Sequence, residues 1–177
     1  GRNTASGERF HKDSLTAAYN FAPFGTLIKV TNLSNDKFVI VKVTDRMGNK
    51  SANKIDLSIS AFDTIANLQS GRVKVKLEEV EKLIRTNKDA NGNTVPAGWD
   101  PVVSSEGTRL SYTRNVGKGD ATYPFIAQTL DGKYIFGVRE TYNLDKNGQT
   151  KYYDSWDEVE KAVPELIPYL NRTFAKD

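Results

Sequence analysis

The sequence predicts a mainly β protein built from two small domains, on the evidence of its length, its strand composition and its turn signals. Its 177 residues are enough for one domain or two small ones. Residues 26–32 and 37–44 are rich in β-branched side chains, and the Ser-Asn-Asp run between them favours a tight reversal, so they predict a hairpin. The pairs Asp131-Gly132 and Asn147-Gly148 are hairpin signals that place further strands in the second half.

The rest of the first half continues in short elements. Residues 55–57 predict a short buried strand, followed by a helix that Ser58 or Ser60 can cap. Basic and apolar residues alternate over residues 72–78, which predicts a half-buried strand with a basic face in solvent. The first domain is therefore expected over residues 1–83.

A change of composition predicts the domain boundary. Residues 84–107 are dense in Asn, Gly, Asp and Pro, which is typical of a linker or a long loop. The remaining residues, 108–177, are expected to form a small second domain.

The second domain is predicted to be an α+β unit in the order β-β-β-α. Strands are expected over residues 122–129, 133–141 and 149–153, and the run Ser-Trp-Asp-Glu at residues 155–158 has the form of a helix-starting capping box. Pro164 is expected to kink or end that helix. Most aromatic residues of this half are expected to be core residues.

Composition excludes several functional classes. The chain has no Cys and one His, His11, which excludes disulfides, thiol catalysis, Cys-based metal sites and two-His metal motifs. We therefore expect no cofactor and no metal, with carboxylates, Tyr, Lys and hydroxyls carrying any chemistry. The net charge of +3 comes with no nucleic-acid motif, and no apolar run is long enough to cross a membrane, so neither nucleic acid nor a membrane span is expected.

Four short motifs of the first half stand in a characteristic order. They are TASGERF at residues 4–10, LTAAY at 15–19, PFGT at 23–26, and the pair DR at 45–46 with IDLS at 55–58. In this order and spacing they resemble the double-psi β-barrel of the rare lipoprotein A family, which is also shared by expansins and one class of endoglucanases. The resemblance implies a six-stranded double-psi β-barrel over the first domain. The family usually has a strand before the TASG motif, so with Gly1 as the first residue we expect that strand to be trimmed or supplied in some other way.

The resemblance also implies a reaction. Family members include lytic transglycosylases, which cleave the MurNAc–GlcNAc bond of peptidoglycan and close a 1,6-anhydro ring instead of adding water. One carboxyl can protonate the leaving oxygen and then take the proton of the 6-hydroxyl, if its pKa lies near neutrality. Ordinary glycoside hydrolysis usually needs two carboxylates.

The motifs assign roles to particular residues. The resemblance places the family's catalytic aspartate at Asp45 and its glutamate at Glu8, as a group that assists catalysis or binds substrate. It implies that Tyr19 and three further residues bind substrate, namely Thr4, Ser6 and Arg46. Asp56, between two apolar residues, is instead expected to be a structural carboxylate that holds loop backbone inside the barrel.

Two departures from the family pattern bear on activity. Tyr19 stands where active members have His, and a tyrosine hydroxyl hydrogen-bonds but stays neutral near pH 7. Met47-Gly48 follows Arg46 where the family usually has Gly-Pro. Three functions are therefore open: a lytic transglycosylase, a module that binds glycan without cleaving it, and a scaffold whose second domain recruits an envelope protein. All three imply an exported protein of the cell envelope, periplasmic or an outer-membrane lipoprotein, whose partner is the peptidoglycan glycan strand.

Overall fold

The computed structural model describes residues 2–11, 13–48, 53–103, 110–114, 124–138 and 141–174. It divides the chain into two units. The first unit is Gly1–Thr86 with Ser104–Arg109, and the second is Asn87–Val103 with Leu110–Asp177.

The first unit contains a curled five-stranded sheet among its described residues. Its strands are β1 (Thr16–Ala18), β2 (Leu27–Asn32), β3 (Phe38–Asp45), β4 (Asp56–Leu57) and β5 (Val75–Glu79). Their order is β4-β1-β3-β2-β5, with β1 and β3 parallel and the other pairs antiparallel. The β2–β3 pair is the hairpin that the β-branched runs predict.

The core of the first unit comes from the apolar residues of the two long strands. Val30, Val39, Val41 and Val43 are fully buried or nearly so, and they pack with Ile65 of α1 (Ile59–Ile65). Such β-branched side chains suit a pleated, buried surface.

Caps and turns complete the first unit. The Oγ of Ser58 accepts a hydrogen bond from the N–H of Ala61, so Ser58 is the helix cap and not Ser60. A short 3-10 turn (Leu68–Ser70) and a helix, α2 (Val80–Arg85), flank β5.

In the part of the chain that the structure describes, the second unit is an antiparallel sheet of six strands with one long helix. The strands are β6 (Asp100–Val103), β7 (Leu110–Thr113), β8 (Pro124–Gln128), β9 (Tyr134–Val138), β10 (Thr141–Tyr142) and β11 (Tyr152–Tyr153), and the helix is α3 (Trp156–Phe174). The order is β10-β9-β8-β7-β6, with β11 also paired to β9. The unit is therefore an α+β domain with more strands than the predicted β-β-β-α order.

Residues 87–103, which the sequence predicts as most of a linker, belong to the second unit. Ala90, Val95 and Trp99 are buried there, and β6 pairs with β7. The turn-forming composition of the segment makes tight turns inside a folded unit, and the long-range contacts that bury it are invisible in its local sequence. Residues 104–107 and Tyr123 lie outside the described residues.

Helix α3 continues past Pro164 to Phe174, so of the two predicted outcomes, a kink or an end, the proline does not end the helix. Ser155 starts it as expected: its Oγ accepts from the N–H of Glu158, whose carboxylate accepts from the N–H of Asp154. Pro164 is exposed, while Val159 and Val163 of the same helix are buried.

No helix among the described residues is both long enough and apolar enough to cross a membrane.

Candidate functional site

The TASGE segment folds into a closed turn. The N–H of Thr4 donates to the carbonyl of Glu8 at 2.8 Å, and the N–H of Gly7 donates to the carbonyl of Thr4 at 3.0 Å. Gly7 has a φ of 87°, in the left-handed region that a residue with a Cβ rarely adopts. The turn therefore needs its glycine.

The hydroxyls of Thr4 and Ser6 face inward on this turn. The Thr4 Oγ1 donates to the carbonyl of Glu8 at 3.0 Å and lies 2.9 Å from the Ser6 Oγ. The Ser6 N–H donates to the carbonyl of Thr44 at 3.0 Å, which fastens the turn to β3. Their observed contacts shape the turn that presents Glu8.

Asp45 closes β3 and is tied to the same turn. Its Oδ1 accepts from the N–H of Ala5 at 3.1 Å and from the N–H of Arg46 at 2.9 Å. Its Oδ2 accepts no hydrogen bond from the residues that the structure describes, and the side chain is half-buried. Two backbone N–H groups thus fix one oxygen of the carboxylate, and the other has no partner in the described part of the chain.

Glu8 faces a groove of about 510 Å³ beside the turn. Its Oε2 lies 3.2 Å from the Nζ of Lys42, and both side chains are partly exposed. The walls of the groove also include Thr4, His11 and Thr44. A groove with both charges and a hydroxyl offers hydrogen bonds to a polar ligand.

Arg46 is held against the loop between β1 and β2. Its Nη1 donates to the carbonyl of Tyr19 at 2.9 Å, and its guanidinium lies 4.0 Å from the centre of the Phe24 ring. Cation–π contact of this kind orients an exposed arginine. The guanidinium is therefore preorganised next to Asp45.

The main chain of Tyr19 lies beside Asp45, but its ring does not share the groove of Glu8. The N–H of Tyr19 donates to the carbonyl of Asp45 at 3.1 Å. The ring instead meets Phe21 edge-on and lines a second groove of about 410 Å³. The register of β1 against β3 shifts between Ala17 and Ala18, an irregularity that no sequence pattern announces.

Asp56 is not the buried structural carboxylate that the sequence predicts. It is exposed in the two-residue strand β4, and no hydrogen bond to its carboxylate occurs among the described residues. Because successive strand residues face opposite sides, its apolar neighbours do not bury it at this sheet edge.

Two groove residues had no assigned role in the sequence. Lys42 reaches Glu8 because residues 42 and 44 share one face of β3, which strand alternation could have indicated. His11 lines the groove without a local motif to mark it. Among the described residues, no cluster of three or more His, Asp or Glu could hold a metal ion.

The parallel β1–β3 pair stands within an otherwise antiparallel curled sheet, and the turn at residues 4–8 is fastened to the end of β3. Residues 1–77 match the family model described as "Lytic transglycolase". The first unit is a double-psi β-barrel, and its likeness to the rare lipoprotein A family lies within these residues.

Curated relatives carry the corresponding name. The chain is 42% identical over 108 residues to "Endolytic peptidoglycan transglycosylase RlpA" of Rickettsia bellii, covering 57% of this chain and 48% of the relative. It is 46% identical over 81 residues to "Probable endolytic peptidoglycan transglycosylase RlpA" of Synechocystis sp., covering 46% of this chain and 25% of the relative. The chain thus spans half or less of the length of these relatives.

Among solved structures, an expansin of Clavibacter michiganensis in complex with cellohexaose aligns over 80% of this chain and 81% of its own, at 14% identity. The TM-score of this alignment is 0.34.

Proposed function

We propose that the chain cleaves peptidoglycan glycan strands by lytic transglycosylase chemistry, with Asp45 as the single acid/base. The observation that carries this proposal is the asymmetry of the Asp45 carboxylate. Two backbone N–H groups hold Oδ1, and Oδ2 has no partner among the described residues. A group that must exchange a proton with a substrate needs a fixed orientation and a free oxygen.

The reaction balances on that one carboxyl. Protonated Asp45 gives its proton to the oxygen that links C1 of MurNAc to GlcNAc, and the C1–O bond breaks as that oxygen leaves as a hydroxyl. The Asp45 carboxylate then takes the proton of the MurNAc 6-hydroxyl, whose oxygen bonds to C1 and closes the anhydro ring. No water enters the products.

The residues around Asp45 take supporting roles in this proposal. The ion pair of Glu8 and Lys42 lines the adjacent groove, where it hydrogen-bonds sugar hydroxyls. Thr4 and Ser6 shape the turn that presents Glu8, and Arg46 lies over the loop beside Asp45. Names of the relatives place them on peptidoglycan, which supports an exported, cell-envelope location for this chain, as a periplasmic protein or an outer-membrane lipoprotein.

Digestion of purified sacculi tests the proposal. The wild type should release muropeptides with 1,6-anhydro ends, and Asp45→Asn should lower that yield at least about 100-fold, the usual size of a general acid–base contribution. Asp63→Asn is the matched control, because it makes the same change at an exposed position of α1. Equal yields from wild type and Asp45→Asn would refute the proposal.

A glycan-binding module is the second candidate. The observation that favours it is the ring of Tyr19, which stands at the family's histidine position and lies against Phe21. Sedimentation of wild type and Asp45→Asn with sacculi at equal affinity, without soluble products from either, would support the module. A partner protein recruited by the second unit is the structural alternative, supported by retention of an envelope protein only when that unit is present.

A further inference from the structure

The loop between β1 and β2 exposes aromatic rings beside Asp45. Phe21 is 61% exposed and Phe24 is 41% exposed, although the loop spans only residues 19–26. Single exposed apolar residues need no explanation, but a cluster around a concave surface marks an interaction site. The exposed rings of Phe21 and Phe24 therefore indicate a ligand-binding surface.

The rings of Tyr19 and Phe21 form one wall of the second groove, with ring centres 5.6 Å apart. Ile28, Leu77 and Leu83 supply further apolar surface. The polar residues of the groove are Glu78, Glu79, Lys82 and Thr86. An apolar surface with a few polar groups is the usual form of a small-ligand site.

The chemistry of the groove fits a pyranose ring. A sugar presents C–H bonds on its faces, which pack on aromatic rings, and hydroxyls around its edge, which hydrogen-bond carboxylates. The carboxylates here are already paired, Glu78 with Lys76 at 3.8 Å and Glu79 with Lys82 at 3.8 Å. Such balanced charge favours a neutral sugar over a strongly charged peptide.

The main chain of Tyr19, which lines this groove, lies next to the main chain of Asp45, although Asp45 itself does not line the groove. Tyr19 donates its N–H to the carbonyl of Asp45, and Arg46 donates to the carbonyl of Tyr19. Phe21 follows Tyr19 by two residues, so its Cα lies at most roughly 14 Å from that of Asp45 by chain reach. A short run of linked sugar rings spans that distance.

We propose that Tyr19 and Phe21 form a sugar-stacking subsite that holds an N-acetylated pyranose of the same glycan strand that reaches Asp45. This subsite is separate from the groove of Glu8. The inference rests on the proposed function, since it takes the glycan strand as the ligand. It assigns Phe21, which carries no motif, as a specificity-determining residue.

Titration with a soluble probe tests the subsite. Asp45→Asn protein with methyl-labelled leucines is titrated with a hexamer of β-1,4-linked N-acetylglucosamine and followed by NMR. The methyl signals of Leu77 and Leu83 should shift, and those of Leu33, which is exposed but lies outside the groove lining, should not. Phe21→Ala should raise the Kd about fivefold to tenfold, the range expected for loss of one stacked ring.

A matched control separates stacking from general surface change. Ile59→Ala removes a 59% exposed apolar side chain of the same unit and should leave the Kd unchanged. Equal Kd values for Phe21→Ala and Ile59→Ala would overturn the subsite. The subsite would also be overturned if the hexamer shifts neither Leu77 nor Leu83. In that case, shifts of the same signals with an apolar peptide, or on concentrating the protein, would identify a peptide or a second copy of the chain as the occupant.

Failure of the subsite and failure of the proposed function give different results. Kinetics on sacculi should show a raised KM with unchanged kcat for Phe21→Ala, and no products for Asp45→Asn. Loss of products in Asp45→Asn with an unaltered KM in Phe21→Ala would leave the catalytic proposal standing and remove the subsite. If the wild type binds the hexamer through Phe21 but releases no anhydro products, the subsite stands and the catalytic proposal fails.

Discussion

Asp45 of the first unit and Asp89 of the second unit accept similar hydrogen bonds from backbone N–H groups, but the rest of each carboxylate has different surroundings. Asp45 holds two backbone N–H groups on Oδ1 and leaves Oδ2 open. Asp89 also holds two N–H groups on Oδ1, those of Asn91 and Asn93, each at 2.8 Å. Its Oδ2, however, accepts from the hydroxyl of Tyr134 at 2.5 Å and from the indole Nε1 of Trp156 at 2.7 Å.

The two aspartates differ in the partners of Oδ2. Asp89 is fully buried, and every contact of its Oδ2 comes from the core of the second unit, so its carboxylate is an acceptor that organises packing. Asp45 is partly exposed at a strand end, and its Oδ2 accepts no hydrogen bond among the described residues, which suits the proposed acid/base role. Anchoring alone therefore does not distinguish a structural carboxylate from a chemical one.

Asp89→Asn should have the largest effect on stability. An amide in this place presents N–H groups where Tyr134 and Trp156 already donate, so buried donors lose their acceptor and the second unit should lose about 3 kcal/mol. Both tryptophans of the chain, Trp99 and Trp156, lie in this unit, so urea unfolding followed by tryptophan fluorescence reports it.

The chain offers a matched control for this change. Asp145 accepts from the N–H groups of Asn147 and Gln149 through Oδ1, as Asp89 does from residues two and four ahead, but without buried donors on the other oxygen. Asp145→Asn should cost less than about 1 kcal/mol. If Asp89→Asn and Asp145→Asn lose equal unfolding free energy, the turn hydrogen bonds, and not the buried Oδ2 of Asp89, account for the loss.

High pH should weaken the same network by a smaller amount. Burial, and next the hydrogen bond to Asp89, raise the pKa of Tyr134 to about 12, and burial also raises the pKa of Tyr112. An unfolded tyrosine ionises near pH 10, so the stability gained from the neutral form is complete below pH 10. The contribution of Tyr134 alone should fall by about 2 kcal/mol as the pH rises from 10 to 12, and Tyr112 should add a loss of its own in the same direction.

Fluorescence-detected urea unfolding at a series of pH values measures this loss. Tyr134→Phe should be less stable at pH 8 but should lose less between pH 10 and 12, because one ionising hydroxyl is gone. Wild-type stability that stays level up to pH 12 would show that Tyr134 ionises without leaving the core.

Asp45→Asn should change stability much less than Asp89→Asn does. The amide oxygen can still accept from Ala5 and Arg46, and the amide nitrogen takes the open side. Thermal unfolding of the first unit, followed by circular dichroism, should shift by less than about 1 kcal/mol. A loss as large as that of Asp89→Asn would make Asp45 a structural carboxylate.

Asp56→Asn should have the smallest effect of all. Its carboxylate is exposed and makes no hydrogen bond among the described residues, while its backbone pairs with Ala18 whatever the side chain. Unfolding should change by less than about 0.5 kcal/mol, and anhydro-product yield should not change. A tenfold loss of product would place Asp56 in the site.

Much of the barrel could be predicted from the sequence because its signals are local. The β-branched runs of β2 and β3 predict their strands, and Asp45 stands at the point where β3 ends. The resemblance assigns both Glu8 and Asp45 to the site, and the structure ties the turn of Glu8 to Asp45 through the N–H of Ala5.

What could not be predicted depends on distant contacts. The register shift between Ala17 and Ala18, just ahead of Tyr19, has no composition signal. Asp89 lies in a turn-rich run typical of a linker, and its burial depends on Tyr134 and Trp156, 45 and 67 residues further on. Local patterns cannot report such partners.

The most direct test of the central claim, that Asp45 alone moves the proton and no water enters, is digestion of sacculi in water enriched in oxygen-18. Proton transfer by Asp45 without water predicts 1,6-anhydro ends that lack oxygen-18 from the wild type. It predicts neither anhydro ends nor labelled ends from Asp45→Asn. Reducing ends that carry oxygen-18 from the wild type, or anhydro ends that persist in Asp45→Asn, would contradict it.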